Sequence, residues 1–327
     1  MKRLFRTLGF FLGAIVVLVA CGAAFFHIKG VPAYTYAPTP EIAGLKVPSD
    51  SAHLARGEKI ASLLCVGCHA EASMSKLTGR KMLDLPKEFG DIATYNITQD
   101  KEHGIGNWTD GELYYFLRTG IRKDGSWAPI FMPKFPTMAD EDLYSVIAWL
   151  RSDSKLVQPA TEEFPPNQYN FLIKFLSNVA FSAPPLPKQK LTVPDSGNTV
   201  AFGKYVANDL CACFACHSKD LKTINYLEPE KTEGFYGGGA QMLNFEGEVV
   251  PTANITFDPE TGIGNFTREQ FRDAVKAGKN PRGGPLYYPM FPHTTLTDYE
   301  VNAVYDYLQT VPKIKNAVVR YKPADKQ

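Results

Sequence analysis

The sequence has 327 residues, and its 35 Lys and Arg residues nearly balance its 34 Asp and Glu residues. This length allows two domains of ordinary size. The balanced charge argues against a nucleic-acid-binding surface, which would need a concentration of basic residues. Six cysteines are present, but four of them belong to two short motifs, so the cysteine pattern does not predict a disulfide-stabilised fold.

Residues 1–28 predict a membrane segment. Three basic residues within the first six precede an uncharged, mostly apolar run over 7–26. About 20 apolar residues match the thickness of a bilayer for a helix, and the positive flank predicts that this end stays in the cytoplasm while the rest is exported. An uncleaved anchor is the favoured interpretation. A cleaved signal peptide and a lipoprotein signal, with Cys21 as the acylated residue, stay open as alternatives. All three place the remainder on the periplasmic side of a bacterial inner membrane.

Residues 29–50 contain four prolines and predict a stiff spacer that leads away from the membrane. A first helix is expected over 52–64. It runs directly into the first of the two cysteine motifs.

That motif, Cys65-Val66-Gly67-Cys68-His69, recurs as Cys213-Phe214-Ala215-Cys216-His217. Cys-x-x-Cys-His is the attachment signature of a c-type haem. Two thiols on one helical turn can each bond the same porphyrin, and the adjacent His supplies a ligand to its iron. A single motif is also compatible with a redox dithiol or a zinc site. Two copies with repeated flanking sequence favour two covalently bound haem c groups.

The sequence that follows each motif is repeated at an offset of 158. Asn-Ile-Thr at 96–98 and Gly-Ile-Gly-Asn at 104–107 return at 254–256 and 262–265. Each copy then predicts a helix that opens with a capping box and ends at a glycine. The capping pairs are Thr109 with Glu112 and Thr267 with Gln270, and the glycines are Gly120 and Gly278.

A last helix is expected in each copy, over 140–151 and over 298–310. Asp140 is the expected N-cap of the first and Thr297, paired with Glu300, of the second. The leading helix of the second copy is expected over 199–210. Helix, haem motif, loop, helix, ligand loop and helix is the order of a mostly α cytochrome c domain. The predicted fold is therefore an N-terminal membrane helix followed by two tandem cytochrome c domains, at 51–155 and 199–327.

The inter-domain segment, 156–198, is rich in proline but contains an apolar, aromatic stretch over 169–181. A simple linker would be more polar. We expect this stretch to form a short helix that packs across both domains and fixes their relative position.

The distal iron ligands are predicted from the repeat. Methionine is the usual partner of histidine in electron-transfer cytochromes c. Met132 and Met290 share the offset of 158, and each lies in a proline-rich turn eight residues before Asp140 or Asp298. His293 is the rival ligand in the second copy. Further expectations concern residues near the haems: Met138 in the core, Cys211 as a buried thiol, Trp108 and Phe266 at the haem edges, His103 exposed, and Arg118 and Arg122 at haem propionates or on a solvated helix face.

From about Leu54 onward the chain resembles the membrane-bound cytochrome c subunits of bacterial alcohol and gluconate dehydrogenases. The resemblance rests on the Asn-Ile-Thr and Gly-Ile-Gly-Asn segments, the Met-Pro type loops and Gly203-Lys204-Tyr205 before the second motif. It implies that Met132 and Met290 are the distal ligands and that electrons pass from a partner protein toward the respiratory chain. Those subunits typically carry three haem domains, whereas two are recognised here.

Together these observations predict a membrane-anchored diheme electron carrier between a periplasmic donor, such as a dehydrogenase, and the respiratory chain. No catalytic residue is predicted. The alternative is a diheme enzyme, peroxidase-like or a small-molecule dehydrogenase, with one open or displaceable haem ligand. The aligned methionines favour the carrier. A purely structural or assembly role would not need two haems.

Overall fold

The computed structural model describes residues 2–323, so the predicted segments 1–28 and 199–327 extend, at residue 1 and at 324–327, outside the described residues. The described chain is rich in helix. The α-helices are α1 (Lys2–Lys29), α2 (Pro40–Ala43), α3 (Ser51–Leu64), α4 (Val66–His69), α5 (Asp110–Thr119), α6 (Asp140–Leu150), α7 (Phe171–Val179), α8 (Thr199–Lys204), α9 (Cys213–His217), α10 (Arg268–Ala277) and α11 (Asp298–Leu308). Tyr205–Leu210 is π-helical, and 3₁₀ turns lie at Lys87–Phe89, Leu221–Thr223 and Pro229–Lys231. Strands β1 (Gly90–Asp91) and β2 (Gln168–Tyr169) pair antiparallel, as do β3 (Gln241–Leu243) and β4 (Val249–Pro251).

The N-terminal helix α1 is the one helix of the described range that is long and apolar enough to cross a membrane, over Phe5–Lys29. Its apolar side chains are exposed along most of its length. A membrane anchor and a signal sequence share these properties. The helical part of the prediction for this segment is therefore confirmed.

The same helix crossing is built twice, once in each sequence repeat (repeat 1, 51–155; repeat 2, 199–323). Gly57 of α3 lies so close to α6 that a Cβ there would be 1.9 Å from the Ser145 carbonyl oxygen. Gly203 of α8 makes the same approach to Ala303 of α11, again at 1.9 Å. Any larger residue would force the helices apart. The leading and final helix of each repeat are thus packed backbone to backbone.

The predicted helix over 52–64 is confirmed by α3, but the one over 199–210 changes its winding. After α8 the chain continues as a π-helix. Gly57 lies eight residues before Cys65, whereas Gly203 lies ten residues before Cys213. Wider π-helical turns take up additional residues within a helix, and so bring the second motif to its place beside the same crossing.

Capping follows the sequence at three of four helix starts. Thr109, Thr267 and Thr297 each form the expected capping box, and Gly120 and Gly278 end α5 and α10 in the left-handed region, at φ 76° and 65°.

The prediction of Asp140 as an N-cap is wrong. Ala139 occupies that position, and Asp140 is the first helical residue. Its carboxylate instead accepts hydrogen bonds from the Tyr114 hydroxyl, at 2.7 Å, and from the fully buried Arg118. A buried guanidinium needs a counter-ion, and this requirement takes precedence over capping.

The proline-rich segment 29–50 does not stand free of the domain that follows it. Tyr34 and Tyr36 lie edge-on against Trp127 and Tyr115, at centroid distances of 5.9 and 4.8 Å. The Tyr34 amide donates to the Gly125 carbonyl at 2.8 Å. The segment therefore follows the surface of repeat 1, because its aromatic side chains complete a small apolar cluster there.

The aromatic stretch at 169–181 forms a helix, as expected, but not as a bridge between the repeats. Helix α7 packs on the end of α1, where Phe26 and Phe175 meet edge-on at 5.2 Å and the Asn178 amide donates to the Gly30 carbonyl at 2.8 Å. Strand β2, just before it, pairs with β1 of repeat 1. The sequence shows that α7 is apolar, but it does not show which element packs against it. In the structure that element is α1, not repeat 2.

One apolar cluster includes buried side chains of both repeats, and polar side chains join the repeats as well. Arg56 of α3 donates to Glu300 of α11 at 3.2 Å, and Lys59 donates to the same carboxylate. Nearby, the Tyr205 hydroxyl of repeat 2 donates to Asp142 and accepts from the amide of Ala139 at 3.2 Å. These groups are largely removed from solvent, so the contact resists screening by salt.

Candidate haem-binding sites

Both cysteine motifs form a single helical turn, as their spacing predicts. In the first, the amides of Cys68 and His69 donate to the Cys65 carbonyl at 3.1 and 2.8 Å. In the second, α9 begins directly after Ala212, whose φ of 47° turns the chain sharply into the motif. All the motif cysteines are free thiols. Each turn therefore presents two unpaired thiols and one imidazole from five consecutive residues.

A backbone carbonyl orients each motif histidine. His69 Nδ1 lies 2.7 Å from the Tyr95 carbonyl oxygen, and His217 Nδ1 lies 2.8 Å from that of Ala253. A carbonyl can only accept, so in both rings Nδ1 carries the hydrogen and Nε2 keeps a free lone pair. This is the arrangement by which proteins set the tautomer and direction of a metal-binding imidazole.

The repeated Asn-Ile-Thr segment builds the loops that supply these carbonyls. Asn96 Oδ1 accepts from the Thr98 amide at 2.8 Å, and Asn254 Oδ1 accepts from the Thr256 amide at 3.0 Å. Each Asn directly follows the residue whose carbonyl holds the histidine. The repeat thus encodes a turn that places an acceptor at Nδ1.

A hydrogen bond with Cys211 lowers the pKa of Cys213, whereas burial acts on the other motif groups. Burial lowers the pKa of His69 and of His217, and it raises the pKa of Cys65 to about 12 and of Cys216 to about 11. A neutral imidazole is the form that binds a metal. The lowered pKa of both motif histidines therefore favours the form that binds a metal.

The two methionine loops are tied down by matching backbone hydrogen bonds. Each loop leaves the glycine that ends the preceding helix, through a bond from Ala128 to Gly120 at 2.9 Å or from Leu286 to Gly278 at 2.7 Å. The Met132 amide donates to Pro129 at 3.1 Å, and the Met290 amide donates to Tyr287 at 3.0 Å. Both methionines are half-buried. The same backbone hydrogen bonds therefore hold Met132 and Met290 at equivalent positions, as expected if both are distal iron ligands.

Arg118 braces the first loop from inside the protein. Its Nη1 donates to the carbonyls of Phe135 and Met138 at 2.7 and 2.6 Å, and Nη2 pairs with Asp140. The solvated-face alternative for Arg118 is therefore wrong, because its side chain is fully buried. The propionate alternative stays a prediction, and within the guanidinium Nε is the atom without a partner in the described protein. Lys276, at the same position of repeat 2, pairs with Asp298 on the surface.

The remaining candidate residues fall into different surroundings. Met138 is fully buried, so its assignment to the core is confirmed. Cys211 is half-buried and its thiol lies within hydrogen-bonding distance of Cys213. The His293 ring stacks on the Phe291 ring with centroids 4.9 Å apart, and its buried Nδ1 has no hydrogen-bond partner in the structure.

The other candidate residues contact neighbouring side chains. Arg122 lies over the rings of Tyr95 and Phe116. His103 lies 3.4 Å from Glu163. Trp108 meets Phe116 edge-on, and Phe266 lies beneath Arg282.

Sequence reasoning missed one group of residues that connects the two sites. Arg80, Asp84, Phe245 and Tyr288, together the Tyr288 bridge, link the turn of the first motif to the methionine loop of repeat 2. None of them belongs to the repeated segments, and the residue 158 positions before Tyr288 is Ile130. The sequence hints at this group in one way: its residues have no counterparts at the aligned positions of the other repeat.

Comparison with known proteins agrees with the resemblance drawn from the motifs. No family model matches the chain. It is 27% identical over 278 residues to the cytochrome c subunit of a quinone-dependent alcohol dehydrogenase from Gluconacetobacter polyoxogenes, covering 81% of this chain and 57% of that subunit. It is 27% identical over 284 residues to the fructose dehydrogenase cytochrome subunit of Gluconobacter japonicus, covering 80% and 54%. A diheme cytochrome c-type protein of Cereibacter sphaeroides is 25% identical over 319 residues, covering 93% and 98%.

The predicted resemblance to dehydrogenase cytochrome c subunits is thereby confirmed. The chain spans a little more than half the length of these two dehydrogenase subunits, but nearly the whole of the diheme protein.

Proposed function

We propose that this chain is a membrane-anchored diheme c-type cytochrome that carries single electrons from a periplasmic donor toward the respiratory chain. One observation carries the proposal. In each repeat, a Cys-x-x-Cys-His turn presents a histidine with its Nε2 free, and a methionine loop is anchored by the same backbone hydrogen bonds. The similarity to cytochrome subunits of alcohol and fructose dehydrogenases supports it.

The residues present fit a c-type haem in each repeat. Cys65 and Cys68 would hold the first through thioether bonds, with His69 and Met132 as its iron ligands. When bound, the haem supplies an iron that alternates between Fe(III) and Fe(II). The second set follows the same order and consists of Cys213, Cys216, His217 and Met290.

The chain's own residues determine what that iron can do. Two protein ligands leave no position for a substrate, and a thioether favours the reduced state. The hydrogen bond from His69 Nδ1 to the Tyr95 carbonyl fixes the ring and raises the basicity of Nε2. The site is therefore built to accept and release an electron with little rearrangement, and no proton has to move.

The domain organisation follows from the repeat. We assign 51–155 and 199–327 as tandem cytochrome c domains, with 1–28 as the anchor and 156–198 as the connecting segment. The basic residues in the first turns of α1 support a cytoplasmic start for this helix and periplasmic haem domains. By analogy with the relatives, which are cytochrome subunits of alcohol and fructose dehydrogenases, the electron donor is a dehydrogenase subunit.

The test is to express the full chain in a bacterium that matures c-type cytochromes. We expect the mass of two added haems and a low-spin ferric spectrum with the methionine-to-iron charge-transfer band. Met132→Ala and Met290→Ala should each remove about half of that band, because each deletes one sulfur ligand. Met138→Leu is the matched control, since Met138 is buried in the core, and it should leave the band intact.

A chain with fewer than two haems contradicts the diheme assignment. A high-spin component in the untreated protein favours the enzymatic alternative. If either methionine-to-alanine variant is spectrally unchanged, the ligand assignment of that repeat is wrong.

A further inference from the structure

The two sites are in direct contact through the Tyr288 bridge. Tyr288 lies two residues before Met290 on the loop of the second site. Its hydroxyl donates to the carboxylate of Asp84 in repeat 1. Its ring stacks on Phe245 with centroids 4.0 Å apart and planes inclined by 21°. The loop that carries the second methionine is thus held on a group of repeat 1.

Arg80 continues this contact to the first attachment turn. Its Nε donates to the carbonyl of Gly67, within the first motif, at 3.0 Å. Its two Nη groups lie 3.3 Å from the carboxylate oxygens of Asp84, and the guanidinium lies over the Phe245 ring at 5.0 Å. Both partners of this ion pair are mostly buried, with side chains 17% and 12% exposed.

The first motif and the second loop are therefore only a few groups apart. From Gly67 the chain of contacts runs through Arg80 and Asp84 to Tyr288, and from there through one residue to Met290. Further polar contacts join the repeats, from Arg56 and Lys59 to Glu300 and from Tyr205 to Asp142 and Ala139, but none of them involves the second methionine loop.

We propose that the Tyr288 bridge couples the two haem sites, with Tyr288 as the positioning residue that sets their separation and carries electron transfer between them. The proposal rests on the diheme function proposed above. One electron leaves the reduced site and arrives at the oxidised one, and no bond forms or breaks. Charge-assisted hydrogen bonds, such as those to Asp84, are short and directional, which suits a contact that has to hold a fixed distance.

The absence of the bridge from the first loop agrees with this role. Its aligned residue, Ile130, has no hydroxyl. A residue needed to build any methionine loop would occur in both copies. Tyr288 occurs in the copy whose loop faces the other site, so its function concerns the relationship between the sites rather than ligation of iron.

The experiment uses the full chain in detergent, with both haems attached, and three variants. Tyr288→Ile introduces the residue of the first loop, Tyr288→Phe keeps the ring but removes the hydroxyl, and Asp84→Asn changes the bridge without altering the second loop. The control is Tyr287→Phe, in the same loop, whose ring faces Tyr321. Flash photoreduction measures the rate at which one electron redistributes between the sites. Pulsed electron paramagnetic resonance of the oxidised protein measures the distance between the two irons.

With two haems and both methionine bands retained, we expect Tyr288→Ile to slow redistribution several-fold and to broaden the distance distribution. Asp84→Asn and Tyr288→Phe should show smaller changes of the same kind, and Tyr287→Phe none. An unchanged rate and distance in Tyr288→Ile overturn the proposal. If that variant loses its second methionine band, Asp84→Asn decides, and an unchanged rate there overturns it. A wild-type chain with one haem instead refutes the proposed function itself.

Discussion

Arg56 and Glu300 are 244 positions apart in the chain, yet the guanidinium of the first donates to the carboxylate of the second at 3.2 Å. Lys59 donates to the same carboxylate. Glu300 is 4% exposed and also closes the capping box of α11. One carboxylate therefore starts a helix in repeat 2 and binds the leading helix of repeat 1.

The first prediction concerns this carboxylate. Glu300→Gln keeps the capping box, since glutamine serves there in α10, but removes the charge that faces Arg56 and Lys59. We expect the free energy of unfolding to fall by about 1.5–3 kcal/mol, the range for hydrogen bonds to charged groups. Urea unfolding at pH 7 measures it. The matched control is Glu269→Gln, an exposed change near the start of α10, which should have little effect.

Glu300 should also make the stability of the protein sensitive to acid. Burial works to raise the pKa of Glu300, but hydrogen bonds from Lys59 and Thr297 and the charge of Lys59 outweigh it, so the pKa lies below the usual 4.5. A lowered carboxyl pKa stabilises the native state above about pH 4.5, and this stabilisation is lost as the pH falls through the native value. Between pH 6 and 3, wild-type stability should therefore decline more steeply than that of Glu300→Gln. Equal slopes would contradict the assignment.

The second prediction contrasts two aligned cations. Arg118 and Asp140 form a buried pair, whereas Lys276 and Asp298, at the same positions of repeat 2, lie at the surface. Arg118→Met leaves a buried carboxylate without its partner, which costs about 3–5 kcal/mol. Lys276→Met should cost at most about 1 kcal/mol. Unfolding of both variants by urea, followed at the haem absorption, measures the difference, and similar losses would refute it.

The third prediction uses Asp209, in the π-helical segment. Burial raises its pKa from 3.8 to about 6, despite a hydrogen bond from Thr137. Between about pH 4 and 6 the native state retains a proton that the unfolded chain has released, so this group's contribution to stability falls as the pH rises through that window. Asp209→Asn should therefore stabilise the protein at pH 7 by roughly 1–2 kcal/mol, and hardly at all at pH 4. Thermal unfolding at the two pH values measures the effect.

The control for this prediction is Glu228→Gln, which removes a carboxylate from an exposed pair with Lys231. It should change stability little at either pH. A gain at pH 7 equal to that of Asp209→Asn would show that net charge, rather than burial, is responsible.

The fourth prediction separates the three interpretations of α1. Cys21 is exposed on this helix. If α1 is an uncleaved anchor, Cys21→Ala should remain in the membrane fraction after a carbonate wash, because about 20 apolar residues are enough to hold it there. The intact mass of the wild-type chain should show that α1 is still present and that Cys21 carries no acyl chain. Release of the variant into the soluble fraction would instead support a lipid attached at Cys21.

The repeated residues show what the sequence could predict. Thr109 and Thr267 were identified as capping residues and Gly120 and Gly278 as helix ends, because these roles depend on local backbone geometry. Asp140 was assigned incorrectly, since its role is set by a buried arginine 22 positions away. The sequence pattern of 169–181 indicated a helix but not its partner, which is α1.

The contacts of residues that occur in only one of the two repeats are the hardest to predict from the sequence. Tyr288 and Asp84 are 204 positions apart and belong to no motif. Arg56 and Glu300 are likewise far apart, and although Glu300 is recognisable as part of a capping box, its contact with Arg56 is not. Local patterns report backbone conformation, whereas these pairs depend on how two folded repeats meet, which the repeat itself does not specify.

The contact between the end of α1 and α7 has a consequence for how such a protein meets its partners. Asn178 and Phe175 hold the body of the protein to the last residues of α1. If α1 anchors the protein in a bilayer, as proposed, these contacts restrict rotation of the domains about the end of α1. Encounters then take place by lateral diffusion, with the same side of the molecule always turned toward the lipid and the same side offered to a donor from the aqueous phase.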